Sequence, residues 1–162
     1  MARQLPVRQL RPVVLDFADT APLRLSFTAD LSVPVERVYT ALADEVEAWP
    51  SWFAAVTELR PTADGKGREV RLKGGGFFDE TVMAALPGER YAYRVDRTNA
   101  PGVRALLEDW HLAPSPAGGA RVRWTMAVDG TPALRTVLRL GKPGLGASFR
   151  DAMRKLERRL RP

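Results

Sequence analysis

Acid–base chemistry needs a carboxyl, imidazole, thiol, amine or phenol held away from bulk water. This chain offers few such groups. It has one histidine, His111, and no cysteine. Thiol nucleophiles, thiolate metal sites and disulfides are therefore excluded, and a zinc centre of ordinary type lacks ligands. His111 stands between Trp110 and Leu112. If those apolar neighbours face inward, strand alternation turns the imidazole outward. A serine–histidine–acid relay cannot be assembled from it. Gly74-Gly75-Gly76 has neither the lysine nor the following helix of a phosphate loop and reads as a turn. No metal and no cofactor are expected. Two glutamates and two tyrosines remain. Glu80 shares its strand face with Phe78, Val82 and Ala84, Glu108 with Leu106, Trp110 and Leu112, and Tyr91 and Tyr93 with Val95. A carboxylate on an apolar face is costly unless paired or protonated. Glu80, Glu108, Tyr91 and Tyr93 are therefore the candidate catalytic groups. The competing reading takes each glutamate as a strand-end residue reaching solvent, and one bulge would put it there.

Strands must hold these residues. Leu23 to Leu31 alternates Leu23, Leu25, Phe27, Ala29 and Leu31 with polar residues, as a half-buried strand does. Ser32-Val33-Pro34-Val35-Glu36 opens a helix, because proline suits the first turn and Glu36 suits the positive end of the dipole. Val35, Val38, Tyr39 and Leu42 follow at helical spacing. Asp44 is expected to cap a second short helix ending at Trp49-Pro50, since the residue before proline is pushed out of the helical region. From Trp52 the period becomes two. Strands are predicted at 56–60, 68–73, 77–86, 91–97, 103–113 and 120–128, joined by turns rich in Gly, Pro, Asp and Asn. Such a run is an antiparallel meander. A terminal helix carries Leu134, Leu138, Leu145, Phe149, Met153, Leu156 and Leu160 at steps of three, four and seven. Gly141-Lys142-Pro143-Gly144 predicts a kink or short break. One apolar stripe roughly 40 Å long is expected to run through it. Residues 1–22, with Pro6, Pro12 and Pro22, read as an N-terminal extension, and residues 23–162 as one domain. Val13, Val14, Leu15 and Phe17 suit an extra strand or a packed arm.

The length and a hydrophobic fraction of 45% supply a core without staples. No window holds the ~18 consecutive apolar residues of a spanning helix, and no secretion signal is read at the N-terminus. With no cysteine, the expected location is the cytoplasm. The net charge is +6. In the last helix Arg150, Arg154, Lys155, Arg158, Arg159 and Arg161 outnumber Asp151 and Glu157. A basic face can hold nucleic acid or anionic lipid, but no aromatic platform interleaves with these arginines. A solvated face is the preferred reading. It carries no nucleic-acid partner and no integral membrane segment, and at most a weak membrane-surface contact. Arg71, Lys73, Arg94, Asp96, Arg121 and Arg123 fall on the sheet's other face, where cross-strand charge pairs account for them.

The order of strand, two small helices, meander and long helix resembles the helix-grip fold of the START-like, or SRPBCC, superfamily, which includes the birch-pollen allergen and bacterial polyketide cyclases. The resemblance covers about residues 23 to 160. It is carried by "VPVERVYTALAD", "WPSWFAAV", "FFDETVMAALPGERYAYRV", "WHLAPSPAGGARVRW" and the terminal helix. Ala120 stands where the family usually has threonine. The resemblance implies an α+β fold. A curved antiparallel sheet of about seven strands wraps around a long C-terminal helix, with two small helices after the first strand and a pocket between sheet and helix. A concave sheet and a straight helix cannot touch along their whole lengths, so large side chains or a ligand must fill the gap. The expected lining is Trp49, Trp52, Phe53, Phe78, Val82, Tyr91, Tyr93, Trp110, Trp124, Met126, Leu138, Leu145, Phe149 and Met153. Plain core is the competing reading for Trp49, Trp52 and Phe53. The expected function is binding of a small hydrophobic molecule, such as a lipid, isoprenoid or polyketide-like compound. The alternative is a cyclase or aromatase-type enzyme that folds its substrate with acid–base help. A third reading is an interaction module working through the basic helix.

Overall fold

The computed structural model describes residues 5–162. Its strands are β1 (Arg8–Gln9), β2 (Leu23–Leu31), β3 (Val56–Pro61), β4 (Gly67–Leu72), β5 (Phe77–Leu86), β6 (Arg90–Thr98), β7 (Val103–Pro114) and β8 (Ala120–Gly130). Its helices are α1 (Phe17–Thr20), α2 (Val35–Ala43), α3 (Pro132–Leu140) and α4 (Lys142–Leu160), with a 3-10 helix over Val46–Ser51. The sheet order is β2-β8-β7-β6-β5-β4-β3, antiparallel throughout, with β1 added to β6. The alternation of β2 is used along its full length: it pairs with β8 from Leu23 opposite Val128 to Leu31 opposite Ala120. β2 therefore lies beside the last strand, β8. α2 and the 3-10 helix carry the chain to the far edge at β3. The open sheet curves round α4, whose Phe149, Ala152, Met153, Leu156 and Leu160 are buried.

Three local expectations are corrected. Asp44 does not cap the second helix. It closes α2, its N–H donating to Thr40 O at 2.9 Å, and Glu45 precedes the 3-10 turn without a side-chain cap. That turn runs through Pro50 rather than stopping before it. Pro50 forfeits one hydrogen bond. Burial of Trp49, 2% exposed with its Nε1 donating to Leu42 O at 3.1 Å, offsets the loss. The terminal helix takes the short break rather than the kink of the two predicted forms. Gly141 N–H donates to Val137 O at 2.8 Å to end α3, and Leu145 N–H donates to Gly141 O at 3.0 Å to begin α4. Pro143 thereby falls in a first turn, where its missing N–H has no partner to lose. The expected continuous stripe is split. No residue of α3 is fully buried; Leu134 and Leu138 are half-buried, and Val137 and Leu140 are exposed.

The N-terminal arm pairs as a strand at Arg8–Gln9, whereas Val13–Phe17, where an extra strand was one expectation, forms no strand and packs on the sheet. β6 and β7 pair only from Arg90 opposite His111 to Arg94 opposite Leu107, then diverge. The arm enters the gap. Arg8 and Gln9 pair with Thr98 and Arg97, Leu10 N–H donates to Asp96 O at 2.8 Å, and Arg11 N–H donates to Arg104 O at 3.0 Å. Val13, Phe17 and Ala18 then cover Ala105, Leu107 and Ala127 on the outer face of the sheet, while Val14 stays exposed. Phe17→Ala is expected to cost about 3 kcal/mol, measured by urea denaturation, because the vacated site lies over backbone-bonded strands that cannot collapse into it. Among the described residues no helix is long and apolar enough to cross a membrane.

Candidate functional site

Three strands bring the chemistry to one place. On β4, Arg68, Val70 and Leu72 face inward while Glu69 and Arg71 are exposed. Arg68 stands opposite Glu80 on β5, and Tyr93 on β6 stands opposite Glu108 on β7. A Cβ on Gly67 would collide with the Glu80 carbonyl, so glycine permits the close approach of these strands. Arg68 Nε donates to Glu80 Oε2 at 2.5 Å, with both side chains almost fully buried. The guanidinium carbon lies 3.7 Å from the centre of the Tyr93 ring and 4.5 Å from that of Trp49, a cation–π arrangement. Tyr93 OH donates to Glu108 Oε2 at 2.7 Å, and Trp124 Nε1 donates to the same oxygen at 3.0 Å. Trp110 Nε1 donates to the Tyr93 hydroxyl oxygen at 3.1 Å.

Two carboxyls thus face one guanidinium out of water. Burial pushes the Glu80 carboxyl from 4.5 up to about 7, against the attraction of Arg68 and with added repulsion from Glu108. Burial also raises Glu108, while the bonds from Tyr93 and Trp124 hold it back. Burial lifts the Tyr93 phenol well above its ordinary value and raises Tyr91. Burial works against the charge on Arg68, but Glu80 and the two tyrosines outweigh it and keep the guanidinium protonated. A carboxyl titrating near neutrality beside a second, hydrogen-bonded one can take up or release a proton.

These groups form the inner end of a cavity of about 180 Å³. Trp49, Phe53, Val56, Val70 and Trp124 form its buried sides. Ala55, Leu72, Phe78, Met126, Leu145 and Ser148 are half-buried and form the rim. The cavity is an apolar sleeve with a polar end.

Of the predicted residues, the structure brings Trp49, Phe53, Phe78, Tyr93, Trp124, Met126 and Leu145 to this wall, together with Glu80 and Glu108. The others lie elsewhere. Trp52, Trp110, Phe149 and Met153 are core. Trp52 packs behind Trp49, ring centres 4.7 Å apart, and Trp110 stacks on Trp124 at 5.3 Å. From Phe149 onward α4 meets the core directly, so the gap opens only beside its first turns, at Leu145 and Ser148. Leu138 lies beyond the helix break, in a separate cluster with Leu25, Leu106 and Val128. Register shifts between Asp79 and Glu80 and between Val82 and Ala84 bend β5. Val82 and Tyr91 consequently border a second pocket of about 230 Å³, shared with Tyr39 and with Arg68 itself.

Sequence reasoning missed Arg68, along with Ala55, Val56, Val70, Leu72 and Ser148. Its signal was present: Arg68 shares the strand parity of Val70 and Leu72. His111 lies on the outer face, half-exposed, its Nε2 3.0 Å from Asp109 Oδ2. On that face Arg94 pairs with Asp96, Arg121 with Asp30 and Arg71 with Glu58.

A curved antiparallel sheet closed on a C-terminal helix over an internal cavity defines the START-like, helix-grip class of proteins. Within it, this chain belongs to the family described as polyketide cyclase / dehydrase and lipid transport, whose family model matches residues 22–161. Uncharacterized proteins of Mycobacterium tuberculosis and Mycobacterium bovis are each 33% identical to it over 151 residues, covering 90% of this chain and 89% of theirs. The aromatase/cyclase ZhuI of Streptomyces sp. R1128 superposes with a TM-score of 0.71 at 16% identity, over 86% of this chain and 96% of its own. A START superfamily protein of Mycobacterium smegmatis superposes with a TM-score of 0.64 at 13% identity, over 85% and 96%. At these identities the structural neighbours establish the shared fold.

Proposed function

We propose that the protein binds a small, mainly apolar molecule carrying one polar end, of the lipid, isoprenoid or polyketide-like kind. The observation that carries this reading is the sleeve itself, with aromatic and aliphatic walls ending on Arg68, Glu80, Tyr93 and Glu108. Both protein bonds to Glu108 use Oε2, which leaves Oε1 to accept from a hydroxyl of the guest. Removing about 250 Å² of ligand surface from water contributes about 6 kcal/mol before ordering costs. Trp49 and Trp124 stand in the wall, so intrinsic fluorescence reports occupancy. Titration with 2-naphthol and with decanol is expected to give a saturable change with a Kd of about 0.1 mM or tighter. The absence of any saturable change with either would sink the proposal.

A second reading is an enzyme of the cyclase or aromatase kind. The inward position of Glu80 and Glu108 favours it, since both carboxyls are lifted by burial toward the range where general acids and bases work. The same titration with a linear poly-β-ketone, followed by chromatography, separates the two. A binder leaves the products and rate of a protein-free control unchanged, and an enzyme accelerates cyclisation or changes which ring forms.

A further inference from the structure

A second site lies on the outer face of the sheet, apart from the cavity. It is a pocket of about 140 Å³ under the N-terminal arm, between α1 and the strands β2, β6, β7 and β8. Strand register makes it cationic. Arg90 on β6 stands opposite His111 on β7, and His111 stands opposite Arg123 on β8. One row thus holds two arginines on either side of an imidazole, a concentration of positive charge and hydrogen-bond donors. The buried Asp109 answers only part of this. Arg90 engages both of its oxygens, Nε to Oδ1 at 3.0 Å and Nη2 to Oδ2 at 2.9 Å, and His111 shares Oδ2. Arg123 meets no carboxylate within ion-pair distance among the described residues. Arg24 reaches in from β2. Its Nε donates to Ala18 O at 2.5 Å, and its Nη2 lies 3.4 Å from Asp19, which is itself exposed to solvent. Buried Thr125 adds a hydroxyl, held by Ser26 Oγ at 2.8 Å.

We propose that this pocket binds a phosphate group, free or on a small monoester. Guanidiniums from three strands converge on it, which suits a tetrahedral oxyanion better than a flat carboxylate that a single guanidinium fork can satisfy. The volume accommodates a phosphate with several of its waters, each of which occupies about 30 Å³ in the liquid. Arg123 is exposed and holds no carboxylate, so an anion can engage it without breaking an existing ion pair. Nothing in this site depends on what the inner cavity holds.

His111 is the only histidine, so its ring signals in an NMR spectrum report this pocket alone. Inorganic phosphate, phenyl phosphate and acetate are titrated separately into the full-length protein at constant pH and ionic strength, because screening alone changes exposed charge contacts. Phosphate is expected to move the His111 signals saturably, at concentrations at least about tenfold below those acetate needs. Tighter binding of phenyl phosphate assigns a monoester, and weaker binding assigns the free ion. Arg123→Gln is expected to weaken phosphate binding about tenfold or more with an unchanged urea midpoint. Arg121→Gln, two residues along the same face and paired with Asp30, is expected to leave phosphate binding unchanged. A response that does not saturate, equal binding of acetate and phosphate, or Arg123→Gln protein that binds phosphate like the wild type would overturn the proposal.

Discussion

Arg68→Met is expected to destabilise the protein by about 2.5–3.5 kcal/mol near pH 8 and by only about 1–2 kcal/mol near pH 5. The cause is the buried pair. Without Arg68, Glu80 has no countercharge at an almost fully buried position. It must then stay protonated or leave the interior. The sign follows from its position on the pH scale. Glu80 titrates at about 7 in the fold against an ordinary 4.5. The native state therefore binds more protons than the unfolded chain between those values. The stabilisation from protonated Glu80 is fully present below 4.5 and is lost as pH rises through 7. In the wild type the loss levels off above 7, because Arg68 accepts the carboxylate. In Arg68→Met nothing accepts it, and the deficit grows by about 1.4 kcal/mol per further pH unit. Urea midpoints at the two pH values measure this directly. Arg68→Met combined with Glu80→Gln is expected to regain most of the loss and to flatten its pH dependence. A pH-independent deficit in the single variant would show that Glu80 does not depend on Arg68.

Ser148→Phe is expected to abolish binding of 2-naphthol and decanol, with at least about a tenfold loss in affinity and less than about 1 kcal/mol change in stability. Ser148 is half-buried on α4 at the rim, one turn after Leu145 and across from Leu72 and Phe78. A benzyl group there meets apolar partners and closes the mouth, yet the position is outside the packed core that starts at Phe149. The binding loss is read by fluorescence, and urea denaturation confirms the fold. Phenylalanine adds no indole, so the tryptophan signal stays interpretable. Unaltered binding in this variant would mean that guests do not enter beside α4.

The sheet was legible because its strands alternate cleanly. β2 and β5 carry the predicted limits, and the other predicted strands differ by one or two residues at their ends. Glu80 and Glu108 were legible as inward candidates by the same alternation. Arg68 escaped because a lone arginine beside Gly67 and Glu69 reads as one more strand-end charge. Only the register opposite Glu80 gives it meaning, and register is set between strands rather than within one. The core tryptophans were hard to separate from the cavity wall for a related reason. Trp49 and Trp52 sit three residues apart on one short turn, yet one reaches the hollow and the other packs behind it. The curvature of β5 was also hidden, since bulges leave no mark in a run such as Thr81-Val82-Met83-Ala84. The helix break was written plainly in Gly141 and Pro143, but not the loss of the stripe beyond it.

Arg68 borders both the inner cavity and the pocket behind it. A side chain that divides two hollows acts as a ruler. A compact guest of the proposed kind would stop at the guanidinium and leave its tether to Glu80 intact. A longer one, to pass from one hollow to the other, would have to swing the arginine aside and strand the carboxylate. Guest length would then be coupled to proton uptake, with molecules sorted by reach more sharply in alkaline than in acidic solution.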